Sequence, residues 1–297
     1  MAGWLWAIFT VTAAGAQTLR NAMQKELTTT LGTVGATHVR FLYGLPFAAL
    51  FLVGILLFTG QSLPPLNATM MAWIVVGALS QIAGTALLLA AMQQRSFVVT
   101  TALSKTEPVQ VAVFGLAFLG DHITLGLGIA IVVATIGVVV MSWPKQSSTE
   151  TLSLNGALLG IASGALMGLA AVGYRGGVIN AGSSNFVVAA STTLVVGLIL
   201  QVALMTAYLI VRDRKTLVAL FRAWRPSMTA GFMGAFASQM WFLAFALESA
   251  AKIRTLALVE ILFAQLLSRR AFQQGLASRE AIGIGLIIVG VILLLNT

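Results

Sequence analysis

The chain has 297 residues, 59% hydrophobic and only 8% charged, with a mean hydropathy of +0.97 and a net charge of +9. Soluble domains carry about 25% charged residues, so no soluble core could hide this much apolar surface. With no cysteine there are no disulfides or thiolate metal sites, and the basic residues lie between apolar runs without a basic-aromatic module, which argues for a lipid bilayer and against nucleic acid.

A helix crosses the bilayer in about 20 apolar residues. Ten such runs are predicted, at about 3–19, 34–58, 70–92, 97–119, 124–142, 154–174, 186–210, 227–247, 251–267 and 279–295. Trp4–Ala16 has no basic segment before it and no small-residue cleavage site after it, so it reads as the first span and not as a signal peptide. Arg40 opens the second span, where reaching toward the headgroups is its ordinary role. The third span carries Ser80, Gln81 and Thr85.

The fourth span holds Lys105, Glu107 and Pro108 about halfway along. A charge at that depth costs at least about 2.5 to 3.5 kcal/mol, so Glu107 should face protein or water. At 100° per residue Thr100, Ser104, Glu107 and Gln110 share one side, while Lys105 points about 200° away from Glu107. Pro108 cannot donate to the carbonyl of Ser104, which predicts a kink beside the acid. Two roles stay open for Glu107: lining a central cavity, where it protonates or engages a cation, or pairing statically with Lys105, Arg40 or another base.

Trp143–Ser153 is the most linker-like stretch and falls at the midpoint. The sixth span then shows Gly156, Gly160, Gly164 and Gly168 at intervals of four, a ridge that admits close approach of another helix. On the eighth span Gln239 and Trp241 are candidates for substrate contact, supplying polarity and stacking without fixed charge. The ninth carries Glu260 in an apolar setting, with a base from another helix as its expected partner. Glu248, Lys252 and Arg254 lie nearer that helix's end, as snorkelling charges.

Residues 153 apart match without a gap: Glu107 with Glu260, Ala91 with Ala244, Ser96 with Ser249, Ile131 with Ile284, Gly137 with Gly290. This reads as a duplication of five spans, and because five is odd the second copy is inverted in the bilayer, a pattern typical of transporters. The expected fold is thus an all-α polytopic membrane protein of ten transmembrane helices in two inverted five-helix repeats, residues 1–148 and 149–297. One set of loops holds Arg20, Lys25, Arg95, Lys145, Arg212, Arg214, Lys215, Arg222, Arg225, Arg269, Arg270 and Arg279, 12 of the 17 basic residues. The positive-inside rule makes that side cytoplasmic and puts both termini outside.

No Walker loop, H-E-x-x-H or G-x-S-x-G motif is present, and His38 and His122 show no ligand spacing, so no cofactor or metal site is expected. Leu103-Ser104-Lys105-Thr106-Glu107-Pro108, followed by Phe118-Leu119-Gly120-Asp121 and Gly126 to Val140, resembles the EamA-type members of the drug/metabolite transporter superfamily, as does the arginine in Arg40-Phe41-Leu42. The second half repeats the pattern from Trp241 through Glu260 to Leu295, with Ile261 in place of the proline and with Ser268-Arg269-Arg270 and Gln273-Gln274-Gly275 in place of the Gly-acidic turn. The resemblance implies ten helices, a central cavity and secondary transport, often export, of amino acids, other metabolites or drugs across a bacterial cytoplasmic membrane. Loop charge runs opposite to that of most relatives, which leaves import and export both open, as it leaves homodimerisation. A non-transporting scaffold or a membrane-embedded enzyme is the alternative, although no convergent nucleophile and base is evident for an enzyme.

Overall fold

The computed structural model describes residues 2–92, 103–142, 154–263, 265 and 278–297, and every described element is helical. These are α1 (Leu5–Leu42), α2 (Gly44–Thr59), α3 (Ala68–Met92), α4 (Glu107–Phe114, continued by a π-helical turn Gly115–Leu119), α5 (Leu125–Ser142), α6 (Leu154–Ile179), α7 (Phe186–Arg212), α8 (Arg214–Arg222), α9 (Trp224–Leu247), α10 (Ala250–Leu256, continued by a 3-10 turn Ala257–Val259) and α11 (Ser278–Leu295). Seven segments among the described residues are long and apolar enough to cross a membrane, and Glu107–Leu119 is a shorter apolar helix. Their outer faces are greasy: on α2, Leu57 is 80% and Phe58 94% exposed, as suits lipid contact.

Two compact packing units divide the chain. Met1–Ala78 and Gly173–Leu247 form the first, and Leu79–Val172 and Glu248–Thr297 the second. Each draws on both halves of the sequence.

In the first unit, α1 runs on where a loop was expected after residue 19. Nothing in Arg20 to Leu31 breaks a helix, and Leu27 and Leu31 pack with Ala36, Val39, Leu209 and Leu220. The break comes at Gly32, whose φ of 65° and ψ of 175° suit glycine alone, and Gln24 Nε2 then donates to the carbonyl of Ala36 (2.7 Å) across the kink. Gly32→Ala should destabilise the protein by roughly 1 kcal/mol, read as a lowered midpoint of thermal unfolding. Arg20, expected in a loop, is therefore a buried residue of α1, and Lys25 lies on the same helix. Of the other basic residues assigned to those loops, Arg95, Lys145, Arg269 and Arg270 lie outside the described residues, as do Ser96, Thr100 and the Trp143–Ser153 linker.

A second difference is α8, a short helix inside what reads as a basic loop. Asp213 caps it, accepting from the Thr216 backbone N–H (3.1 Å) and hydroxyl (2.7 Å), and these bonds hold its carboxyl below the ordinary carboxylate value. The cap is intact at neutral pH and weakens only as the pH falls through that lowered value. Arg214 and Lys215 open the helix and Arg222 closes it, with Val218 and Phe221 exposed between them, as suits a helix at a membrane surface.

In the second unit α5 packs on α11 through small residues. A Cβ added at Gly137 would lie 2.8 Å from the Ile287 nitrogen, and one added at Gly290 would lie 2.7 Å from the Ala134 nitrogen. Gly137 and Gly290 are 153 residues apart, as are Ala134 and Ile287, so these two contacts exchange into one another under the offset read from the sequence.

Candidate functional site

The strongest polar constellation among the described residues is in the second unit. Glu107 is the first residue of α4, after a turn at Lys105 and Thr106, with Pro108 next in the helix. Proline has no N–H to give the Ser104 carbonyl, so the preceding helical residues cannot continue regularly into α4. Gly164 of α6 admits this geometry: a Cβ there would sit 2.8 Å from the Ser104 carbonyl oxygen. A Cβ at Gly168, four residues on, would lie 3.0 Å from Val111 Cγ2 and 3.7 Å from the Glu107 carbonyl oxygen. Gly160 is buried on the same helix, and Gly156 lies near its start.

Glu260 follows its own irregularity, the 3-10 turn Ala257–Val259, though Ile261 stands where a proline would. The tight turn does locally what Pro108 does in α4, interrupting the ladder beside the acid. Shifting Lys105 and Thr106 by the repeat offset of 153 places them at Leu258 and Val259, within that turn.

Each acid meets a base from the other half of the sequence. Arg254 Nε donates to Glu107 Oε1 at 2.7 Å and its Nη2 to Oε2 at 2.8 Å, a two-pronged fork, with the side chains 21% and 12% exposed. Lys105 Nζ lies 3.8 Å from Glu260 Oε1, a looser and more exposed pair. Arg254 is also within electrostatic reach of Glu260, so the four charges form one group. The resulting quartet is electrically neutral and borders a small space lined also by Pro108, Ala257, Leu258 and Ile261.

Arg254 is the residue sequence reasoning placed wrongly, at a helix end reaching for headgroups. Its signal was there: two acids in apolar segments with Lys105 as the only basic residue assigned to their depth required a second base. Lys252 and Glu248 do pair with each other at 3.7 Å. Gln81 lies half-buried on α3 in this same unit, its carbonyl accepting from the Thr85 hydroxyl at 2.8 Å.

The first unit holds the other two expected contact residues. Gln239 Nε2 donates to the Ser191 hydroxyl at 2.8 Å, leaving its Oε1 buried without a hydrogen-bond partner among the described residues. Trp241 Nε1 donates to Gln17 Oε1 at 3.1 Å, and Phe242 beside it lies 4.9 Å from the Tyr174 ring, centroid to centroid. His38 hydrogen-bonds Thr206 at 3.0 Å. No cluster of metal-ligating residues occurs among the described residues.

No curated protein matches the chain. One solved crystal structure superposes on it with a TM-score of 0.72 at 14% identity, over 98% of this chain and 94% of the other, a likeness of fold alone. Residues 1–143 match the model of the EamA-like transporter family. That segment contains the Lys105-Thr106-Glu107-Pro108 turn and the Gly120-Asp121 turn, where Gly120 takes a left-handed φ of 69° and the Asp121 N–H returns to the Gly115 carbonyl at 3.1 Å. Over its first 143 residues, this helical membrane protein is similar to the EamA-like transporter family.

Proposed function

We propose that the chain is a secondary transporter of a small organic solute, working by alternating access through ten helices in two inverted five-helix repeats, residues 1–148 and 149–297. The observation that carries this reading is the cross-paired quartet. A buried carboxylate held by one arginine is costly to leave alone, so it stays paired until another charge takes the partner's place. Because Glu107 and Glu260 both sit beside interrupted helix, a change of partner can be converted into a change of helix direction at low cost in broken backbone hydrogen bonds. The loose Lys105–Glu260 pair opens first, and the forked Glu107–Arg254 pair holds the resting state. The reciprocal Gly137 and Gly290 contacts support the repeat, since a true duplication reuses one interface twice.

Gln81, Gln239 and Trp241 are proposed as solute contacts, with Gln239 Oε1 offering an acceptor that no described residue uses. Pro108 and the glycines of α6 serve as the packing on which α4 pivots. The mechanism needs only one chain.

The reading is tested with purified full-length protein in liposomes loaded with a mixture of amino acids, organic acids, nucleosides and polyamines, their release followed by mass spectrometry. At least one compound should leave faster than from protein-free liposomes, and Glu107→Gln should lose that release. Release equal to protein-free liposomes for every compound would favour a scaffold.

A further inference from the structure

Helix α8 is tied at both ends to segments that suit a bilayer. Asp213 alone separates it from α7 and Ala223 alone from α9, and both of those helices are long and apolar enough to cross a membrane. So short a tether keeps α8 at the bilayer surface. One side of it is held by the first unit. Leu220 is fully buried with Leu27, Leu31 and Leu209, and the Tyr43 hydroxyl donates to the Leu220 carbonyl at 2.9 Å. Thr216 closes on α1 beyond the kink, its Cγ2 lying 2.8 Å from where a Cβ would stand on Gly35. At 100° per residue, Arg214, Lys215, Val218, Phe221 and Arg222 fall within an arc of about 120° on the other side, and all five are exposed. Trp224 and Arg225 extend this surface past the helix and are exposed too, with the Arg225 guanidinium carbon 5.5 Å from the Trp224 ring centroid.

Residues 212–225 contain five basic side chains and one acid. That acid, Asp213, is engaged in capping α8 through Thr216. A soluble acidic partner would account for the charges, but not for Val218, Phe221 and Trp224 standing exposed among them. A lipid surface uses both, the bases meeting phosphate while the apolar side chains enter the boundary between headgroups and acyl chains. We propose that α8, with the flanking Arg212, Trp224 and Arg225, is a docking surface for anionic phospholipid headgroups. Because α8 bears on α1 at both sides of the Gly32 kink, lipid held there also holds the first unit together. Such binding requires no flux, so it stands or falls apart from the transport reading.

The test uses the purified full chain in a neutral detergent. Thermal unfolding is followed with phosphatidylglycerol, phosphatidylcholine, glycerol 3-phosphate or hexaglutamate added in turn. Phosphatidylglycerol should raise the melting temperature saturably, and by less at high salt. Phosphatidylcholine at the same mole fraction should raise it less, and the two soluble anions should not raise it. In Lys215→Gln/Arg222→Gln/Arg225→Gln the apparent affinity for phosphatidylglycerol should fall at least about tenfold, since each basic residue at an anionic surface contributes roughly fivefold. Phosphatidylcholine should act on that variant as on the parent. The proposal is overturned if phosphatidylcholine stabilises the parent as well as phosphatidylglycerol does, or if the triple variant binds phosphatidylglycerol unchanged. It is also overturned if glycerol 3-phosphate or hexaglutamate stabilises the parent in place of the lipid, which would mark a soluble anion or an acidic protein as the partner. Should the triple variant not fold, Arg222→Gln alone, expected to weaken phosphatidylglycerol binding about fivefold, decides in its place.

Discussion

Arg254→Gln is expected to destabilise the protein by about 3–5 kcal/mol, because it strands Glu107 in a site where the acid is only 12% exposed and has lost both prongs of its fork. In thermal unfolding this is a drop on the order of 10 °C for a chain of this size. Glu107→Gln should be of similar cost, since it leaves the guanidinium with a neutral partner. The double variant Glu107→Gln/Arg254→Gln should regain more than half of the loss, as neither charge then remains to be satisfied. If the double variant loses the sum of the two singles, the residues are not acting on one another and the pairing is wrong. Lys105→Gln should cost far less, because its contact with Glu260 is 3.8 Å long and its side chain 34% exposed.

The helix pair α5 and α11 gives the second large effect. A Cβ at Gly137 meets the Gly283 carbonyl and the Ile287 nitrogen at 2.8 Å, and a Cβ at Gly290 meets the Ala134 nitrogen at 2.7 Å. These neighbours are backbone atoms, which cannot turn aside as a side chain would, so the helices must separate. Gly137→Ala and Gly290→Ala should each destabilise by about 1–3 kcal/mol, and by similar amounts because the contacts are reciprocal. Gly285, on α11, has nothing within 4 Å of its missing Cβ. Gly285→Ala should therefore be neutral or stabilising by up to about 1 kcal/mol, through helix propensity alone. Equal losses at all three positions in thermal unfolding would show that close packing is not the cause.

The membrane character and most helices were legible because a run of about 20 apolar residues has few other solutions. Boundaries failed where polarity and backbone preference disagree. Asn21 to Thr30 is polar enough to pass for a loop, but it contains neither glycine nor proline, and α1 continues to Gly32. Helix α8 was hidden by its charges, although Asp213 three residues before Thr216 carried a capping signal. The turn beside Glu107 was legible from Pro108, whereas the matching turn before Glu260 was not, because Ala257–Val259 reaches it without a proline. Glu107 and Glu260 announced themselves as charges in apolar segments. Their partners did not, because Arg254 lies 147 residues from Glu107 and only tertiary packing joins them. The inward-facing Arg20 was missed for the same reason that the end of α1 was: a residue assigned to a loop is assumed to be solvated.

Under the proposed alternating access, the space beside the quartet opens to each side of the membrane in turn. The chain has no cysteine, so Ile261→Cys, at a residue lining that space, places a single thiol there in an otherwise unchanged background. In sealed proteoliposomes containing each orientation separately, a charged, membrane-impermeant methanethiosulfonate should label Cys at this position from the cytoplasmic face and also from the opposite face. Labelling from one face only, in vesicles shown to be sealed, would contradict alternating access at this site.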